Sequence, residues 1–418
     1  MTNFSLREIQ SRYQMIRYFD GYSAERVEDL DERKLKRPLV KTQLMEILDG
    51  ERTRTLEGLA SLFTSSGVKL QPIDDALLMV SDSEAGEIGF MERLGSRVVA
   101  IYSVRKSEDL NKWSRRLVYS NPELDYVWLS GLTFDVLWQV VGKLSKPHRY
   151  GRLVFTHDSI FDIDAQLGET EETEQEMVDS PSEDDVEQIV EKRETSFRLT
   201  DRIGIIQQKL HQLQELYSPL YAISQMRFPS PVGRGGHDFY DNGKVTNRSQ
   251  SFRDHRNHLL FVVRIYEHLL KSTEQRAWYS IQESVGIPGQ FRKIVGSPVV
   301  IRFREQLTPK VFDQWAAATF ERKNNKFRLW GHPIRLGPTK VHVYGVDRHL
   351  WQPLFLELTA KGCIAIIPNG TCGNTVHRLV TNVQRYLDPG AHAFLGDIPY
   401  KTLVEQSAQL VPYEPNAE

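Results

Sequence analysis

The chain has 418 residues, 40% of them hydrophobic and 26% charged, which is the balance of a soluble globular protein with two or three domains. No apolar run approaches the ~20 residues that a membrane-spanning helix needs, and two cysteines, Cys363 and Cys372, exclude a disulfide framework. The formal net charge of −2 hides a strong asymmetry: residues 165–195 carry roughly −10, whereas residues 196–418 hold about 28 Lys+Arg against about 18 Asp+Glu, a net of roughly +10.

The N-terminal stretch MTNFSLREIQSRYQMIRYF has charge scattered through it and no continuous apolar core, so no signal peptide is expected. Few cysteines and no leader point to a reducing, cytoplasmic setting. Leu6, Ile9, Tyr13 and Ile16 recur at helical spacing, and Leu39, Leu44, Ile47 and Leu48 are read the same way, so the first fifty residues are predicted helical. From about Val68 compact strand-like runs follow: ALLMVSD, EIGFMERL and SRVVAIYSV. A helix is predicted over Ser107–Tyr119 and another near Phe134–Leu144, then a strand RLVFTHD. This alternation predicts an N-terminal helical plus α/β-type domain over residues 1–164.

Glu169–Glu194 is almost free of aliphatic and aromatic side chains, so it cannot bury enough apolar surface to offset the entropy of ordering. Residues 165–195 are therefore predicted to be an acidic linker. Residues 196–290 read as a helical region with a basic Gly-rich loop: a helix at Ile203–Leu216, the loop FPSPVGRGGHDFYDNGKVTNRSQ, and a long helix Phe252–Leu270. Residues 291–418 read as a strand VVIRFRE, a helix from Thr308-Pro309, strands KFRLWG and KVHVYGV, a helix HLWQPLFLELTAKG closed by Gly362, a strand CIAIIP and a helix TVHRLVTNVQRYL. That order is β-α-β-β-α-β, a ferredoxin-like module. The fold class expected for the whole chain is α+β. RNA-recognition modules share this module's fold, but their aromatic strand consensus is missing from VVIRFRE and TKVHVYGVD.

Three segments could carry chemistry. The first runs from Gly233 to Arg256. Its glycines let backbone approach a ligand closely, and Arg234, Lys244, Arg248, Arg253 and Arg256 supply positive charge just before a helix N-terminus, the mixture that phosphate contacts use. Phe239, Tyr240 and Phe252 are candidates for stacking on bases. It is not a Walker A loop, because Lys244 is followed by Val245. The segment also holds His237, Asp238, Asp241, Asp254, His255 and His258. Asp254 and His258 are one helical turn apart, as metal ligands can be, but no second pair at ligand spacing accompanies them, so no metal is assigned.

The second segment is GCIAIIPNGTCGNTVHRLV. Gly370, Gly373, Asn374 and Thr375 lie between a strand and a helix start, where backbone N–H groups can hold an anion. Cys372 and Arg378 resemble the C-x5-R spacing of cysteine phosphatases, a resemblance of seven residues that implies a thiolate nucleophile and a phosphate-holding guanidinium. The chain departs from that pattern in its glycine placement and in Thr371, where the signature has His.

The third is THDSIFDID. Asp162 and Asp164 could hold Mg²⁺ as a D-x-D pair, but they read more simply as the start of the acidic run. Asp347, Glu357 and Lys361 imitate a nuclease set, although the Glu–Lys spacing suits a surface helix pair.

These features lead to the expectation of a nucleic-acid-binding or scaffold subunit of a larger cytoplasmic complex, without catalysis or cofactor of its own. DNA or RNA would be its partner, with other protein subunits beside it. The alternatives are a phosphate-directed enzyme and a protein-interaction adaptor.

Overall fold

The computed structural model describes residues 6–31, 38–48, 51–64, 66–146, 148–158, 194–231, 235–283, 292–320 and 326–413. The elements of the first part are α1 (Arg12–Asp31), β1 (Lys41–Ile47), α2 (Glu51–Arg54), α3 (Leu56–Thr64), β2 (Val68–Pro72), β3 (Leu77–Asp82), β4 (Gly86–Arg93), β5 (Val98–Ser103), α4 (Ser107–Ser120), β6 (Leu124–Tyr126), α5 (Gly131–Leu144) and β7 (Tyr150–Asp158). The middle part holds β8 (Glu194–Arg202), α6 (Ile203–Leu216), β9 (Ile223–Pro229), β10 (Gly236–Tyr240), β11 (Lys244–Asn247) and α7 (Phe252–Ala277). The last part holds β12 (Trp278–Glu283), β13 (Arg292–Val295), β14 (Val299–Arg302), α8 (Pro309–Ala318), β15 (Leu329–Gly337), β16 (Lys340–Asp347), β17 (Gln352–Thr359), β18 (Gly362–Pro368), α9 (Asn374–Tyr386), β19 (His392–Leu395), β20 (Ile398–Pro399) and α10 (Tyr400–Gln409). Among the described residues no helix is long and apolar enough to cross a membrane.

The fold is α+β, with two sheets. One runs β2-β3-β4-β5-β1-β11-β10-β9-β7-β8, with β6 beside β1; the other runs β15-β16-β17-β18-β14-β19-β20, with β12 and β13 at its side. Among the described residues every strand pair is antiparallel except β12 with β18.

Helix α7 joins the layers. Leu259, Val262 and Tyr266 pack in the core beneath the first sheet, and Leu269 and Ala277 pack in the core of the second. Ser251 caps this helix by accepting from the Asp254 N–H at 3.1 Å.

Four expectations from sequence are corrected. Residues 39–48 are not helical: Lys41–Ile47 is a central strand buried along its whole length. Its two faces feed two cores, Leu44 one and Met45 and Ile47 the other. A strand buried on both sides loses the two-residue alternation that would reveal it.

The Gly-rich loop likewise supplies the end of β9 and the whole of β10 and β11, at the middle of the same sheet, with residues 232–234 outside the described residues. HLWQPLFLELTAKG forms strand β17 rather than a helix, and Leu354, Leu356 and Leu358 are buried at alternate positions. Its entry turn carries Leu350 and Trp351 at positive φ, 62° and 52°, where glycine or asparagine normally marks a turn. Gly362 caps no helix: its φ is +147°, and a Cβ there would lie 2.0 Å from the Ile301 carbonyl oxygen. The C-terminal module is therefore β-α-β-β-β-β-α-β from β14 to β19, and the ferredoxin-like order does not hold.

The fourth correction concerns organisation. Strands from residues 1–164 and 196–290 pair in one sheet, β1 with β11 and β7 with β8 and β9. The acidic stretch falls between Asp158 and Glu194, which face each other in the β7–β8 register. It is thus an insertion in a hairpin connection, and most of it, with Asp162 and Asp164, lies outside the described residues.

Candidate functional site

The residues of the first phosphate candidate do not form an open cradle. Arg256 is buried and donates from Nε and Nη2 to the Glu92 carboxylate at 2.6–3.1 Å. Lys244 is buried in β11, with Nζ 5.0 Å over the Tyr240 ring. The start of α7 already holds an anion: Asp20 of α1 accepts the N–H groups of Phe252 at 2.5 Å and Arg253 at 3.0 Å. Phe239 and Phe252 are core residues. Arg253 is exposed, and Arg234 lies outside the described residues. The glycines and basic residues that coincide in sequence are separated by strand alternation, which sends neighbours to opposite faces.

The second candidate is also internal. Gly373 N–H donates to Glu274 at 2.9 Å, Asn374 N–H to Cys372 Sγ at 3.3 Å, and the Thr375 hydroxyl to Asp347. Gly370 alone of the four stands exposed, at φ +96°. Cys372 is buried 3.2–3.3 Å from both Glu46 oxygens, and burial first, then the Glu46 charge, raises its thiol well above the ordinary range. Arg378 is buried too, bonded to Asp125 after the first sheet's β6 start and to Asp347 at the end of β16. The thiol and guanidinium of the C-x5-R pair are thus both engaged inside the fold, and Arg378 ties the two sheets together. The nuclease-like set is not assembled either. Glu357 pairs with Lys340 at 2.9 Å and His342 at 2.7 Å, at the far end of the β16–β17 hairpin from Asp347.

What the structure brings together is a row of arginines on the opposite face of the first sheet. In register across the sheet stand Thr200 of β8, Arg152 of β7, Arg227 of β9 and Asp238 of β10. Cross-strand partners share a face, so these side chains line one row. Two residues along β8 in either direction, Arg198 and Arg202 share that face, and Arg202 stands opposite Tyr150. Arg227 grips Asp238 with two bonds of 2.6 and 2.9 Å, and Arg248 adds a third of 2.6 Å. Arg152 Nη1 is 4.0 Å from the same carboxylate. Burial, then the charges of Arg227, Arg198 and Arg248, draw Arg152 below its ordinary value, with Asp238 opposing them. Three guanidiniums, of Arg227, Arg248 and Arg152, thus share the field of the Asp238 carboxylate, and Arg198 acts on Arg152 from the next strand. Arg198, Arg202 and Tyr150 are exposed, Tyr150 at 64%.

On the reverse face, two buried groups could offer three metal ligands each. They are Glu46, His349 and Cys372, and His237, Asp254 and His258. In the first, Arg97 already occupies the Glu46 carboxylate at 2.6 Å and sits 3.0 Å from Cys372 Sγ. In the second, His237 Nδ1 and His258 Nδ1 are 2.6 Å apart. Burial lowers both imidazoles, His258 to about 3 and His237 well below its usual range.

A family model described as MJECL33-like protein matches residues 3–400. The chain belongs to the MJECL33-like family. It is similar to a protein of Methanocaldococcus jannaschii named "Uncharacterized protein MJECL33", 24% identical over 345 residues that cover 77% of this chain and 79% of the relative. No solved structure matches the chain.

For this MJECL33-like chain, sequence reasoning found Arg248 but missed Arg152, Arg198, Arg202 and Arg227. A signal was there: Arg198, Thr200 and Arg202 alternate in ETSFRLTDR, and Arg152 opens RLVFTHD. Their convergence needed the pairing of β7 with both β8 and β9, which links residues 75 positions apart (Arg152 with Arg227).

Proposed function

We propose that this protein binds a nucleic acid through the arginine face of β8, β7, β9 and β10, without chemistry of its own. The observation that supports the reading is the gathering of Arg152, Arg227 and Arg248 around the carboxylate of Asp238, with Arg198 and Arg202 exposed on the same face of the neighbouring strand. Planar guanidiniums suit phosphate oxygens, and a surplus of positive charge on one sheet face attracts a polyanion over distance. The exposed Tyr150 ring beside Arg202 offers a stacking surface for an unpaired base.

The test is oligonucleotide binding to the full chain, followed by fluorescence anisotropy across a salt series. Arg198→Ala is expected to weaken binding to all sequences alike and to reduce the salt slope by about one unit. Arg335→Ala, at an exposed arginine paired with Asp313 elsewhere on the surface, should change nothing. Absence of binding at low salt, or equal losses in both variants, would refute the assignment. Binding to an acidic polypeptide that oligonucleotide does not displace would favour the adaptor instead.

A further inference from the structure

We propose that His237, Asp254 and His258 form a site for one divalent transition-metal ion, with zinc the best match. Strand β10 presents His237 to the core, opposite in direction to its neighbour Asp238. Helix α7 presents Asp254 and His258 one turn apart, on one face. Each of the three residues offers a ligand atom within 4.8 Å of the other two, and all three are buried.

The second observation is a buried carboxylate oxygen without a hydrogen-bond partner, in a side chain whose acidity the Ser230 hydroxyl, after burial, also influences. Asp254 Oδ2 is buried with no hydrogen-bond partner, 3.9 Å from His237 Nε2. A buried carboxylate oxygen left so is costly, and an ion between it and the two imidazoles removes the cost. The Tyr413 hydroxyl is also without a partner, and its ring lies beside that of His258, with centroids 5.5 Å apart. Ser249 Oγ, 3.0 Å from His237 Nε2, and Thr42 Oγ1, 2.8 Å from the Nε2 of adjacent His255, hold the imidazole cluster in place from outside.

Ligand chemistry selects the ion. Two imidazoles and a carboxylate suit zinc and its neighbours, whereas calcium and magnesium prefer an all-oxygen shell. Without metal, the two Nδ1 atoms at 2.6 Å must share a hydrogen. Metal binding displaces that proton or moves it to another ring nitrogen, and draws the ligand atoms to bonds of about 2.0–2.2 Å. The rival group at Glu46 lacks this logic, because the Arg97 guanidinium lies beside the carboxylate and thiol an ion would need.

The experiment strips the full chain with a chelator, dialyses it against Zn²⁺ and measures bound metal by elemental analysis. About one zinc per chain is expected, falling below about a tenth of that in Asp254→Asn and in His258→Gln, with Cys372→Ser unchanged. Because buried variants can fold poorly, the wild-type protein is also loaded with Co²⁺. Ligand-field absorption without a thiolate charge-transfer band supports the His/Asp set. No zinc above the buffer level, zinc retained in both His/Asp variants, or a thiolate band would overturn the proposal.

Discussion

Arg256 and Glu92 are bonded to each other in the interior, guanidinium to carboxylate, with the Tyr102 hydroxyl donating to the same Glu92 at 2.7 Å. The arginine is 8% exposed and the glutamate 0%. Charge that reads from sequence as ligand-binding is here neutralised inside the fold. Arg256→Ala would leave the buried Glu92 carboxylate with only the half-exposed Arg12, 3.6 Å away, as a positive partner, so a loss of about 3 kcal/mol is expected in urea denaturation. Oligonucleotide affinity per folded molecule should not change. Replacing both partners, with Glu92→Gln beside Arg256→Gln, should recover a large part of the loss, since no net charge then stays buried.

The two cysteines give a sharp check on the phosphatase reading. Burial pushes the Cys363 thiol up to about 12, and burial with the Glu46 charge raises the Cys372 thiol well above its ordinary range. Neither thiol should react with an alkylating reagent in the native protein, and both should react once it is unfolded. Fast labelling of native Cys372 would restore the nucleophile.

Helices with a single buried stripe were legible in the sequence. Ile203–Leu216 matches its predicted bounds, and Thr308 caps α8 by accepting from Val311 N–H at 3.3 Å, with Pro309 in the first turn. Elements buried on two sides were not legible, as Lys41–Ile47 shows, because periodicity reports one wet face. The candidate sites failed for a related reason. Sequence proximity gathered Lys244, Arg248, Arg253 and Arg256, while burial split them between a core ion pair, a buried strand and the surface. The Asp254–His258 pair was visible as helical spacing, but its third member, His237, sits across a strand-to-helix packing that spacing cannot reveal.

His377 should make stability depend on pH. Its ring is fully buried on α9, accepts or donates at Nδ1 with the Tyr400 hydroxyl at 2.8 Å, and burial lowers it to about 3. The unfolded chain protonates this residue near 6.5 while the folded chain does not, so stability is full above that pH and is lost as pH falls toward 3. The slope for this one group is about 1.4 kcal/mol per pH unit inside that window. Glu46 acts in the same direction at lower pH: burial raises it, but Arg97 and His349 outweigh burial and hold it to about 2, so its contribution is lost from the ordinary carboxylate range downward. His377→Phe removes the first of these. Its stability deficit relative to wild type, measured by urea midpoints, should shrink between pH 7 and pH 5. A deficit independent of pH would mean that His377 titrates normally in the folded protein.

The acidic insertion supplies the last test, and it rests on the proposed nucleic-acid face. Its ends are fixed by the Asp158–Glu194 pair at the tip of the same hairpin that carries Arg152 and Arg198. Residues 169–191 hold 11 acidic and no basic side chains. A polyanion tethered beside a basic face competes with nucleic acid at an effective concentration on the order of millimolar. Deleting 169–191 leaves about a dozen residues to reconnect the strands, an ordinary loop length, so the hairpin should be preserved. The deletion is expected to tighten oligonucleotide binding at low salt. The gain should shrink as salt is raised, because a Debye length of about 10 Å at 0.1 M shortens and screens both interactions alike. A low-salt binding curve identical to that of the full chain would rule out competition. The insertion would then act only as a solvated connection, the usual role of a long acidic run.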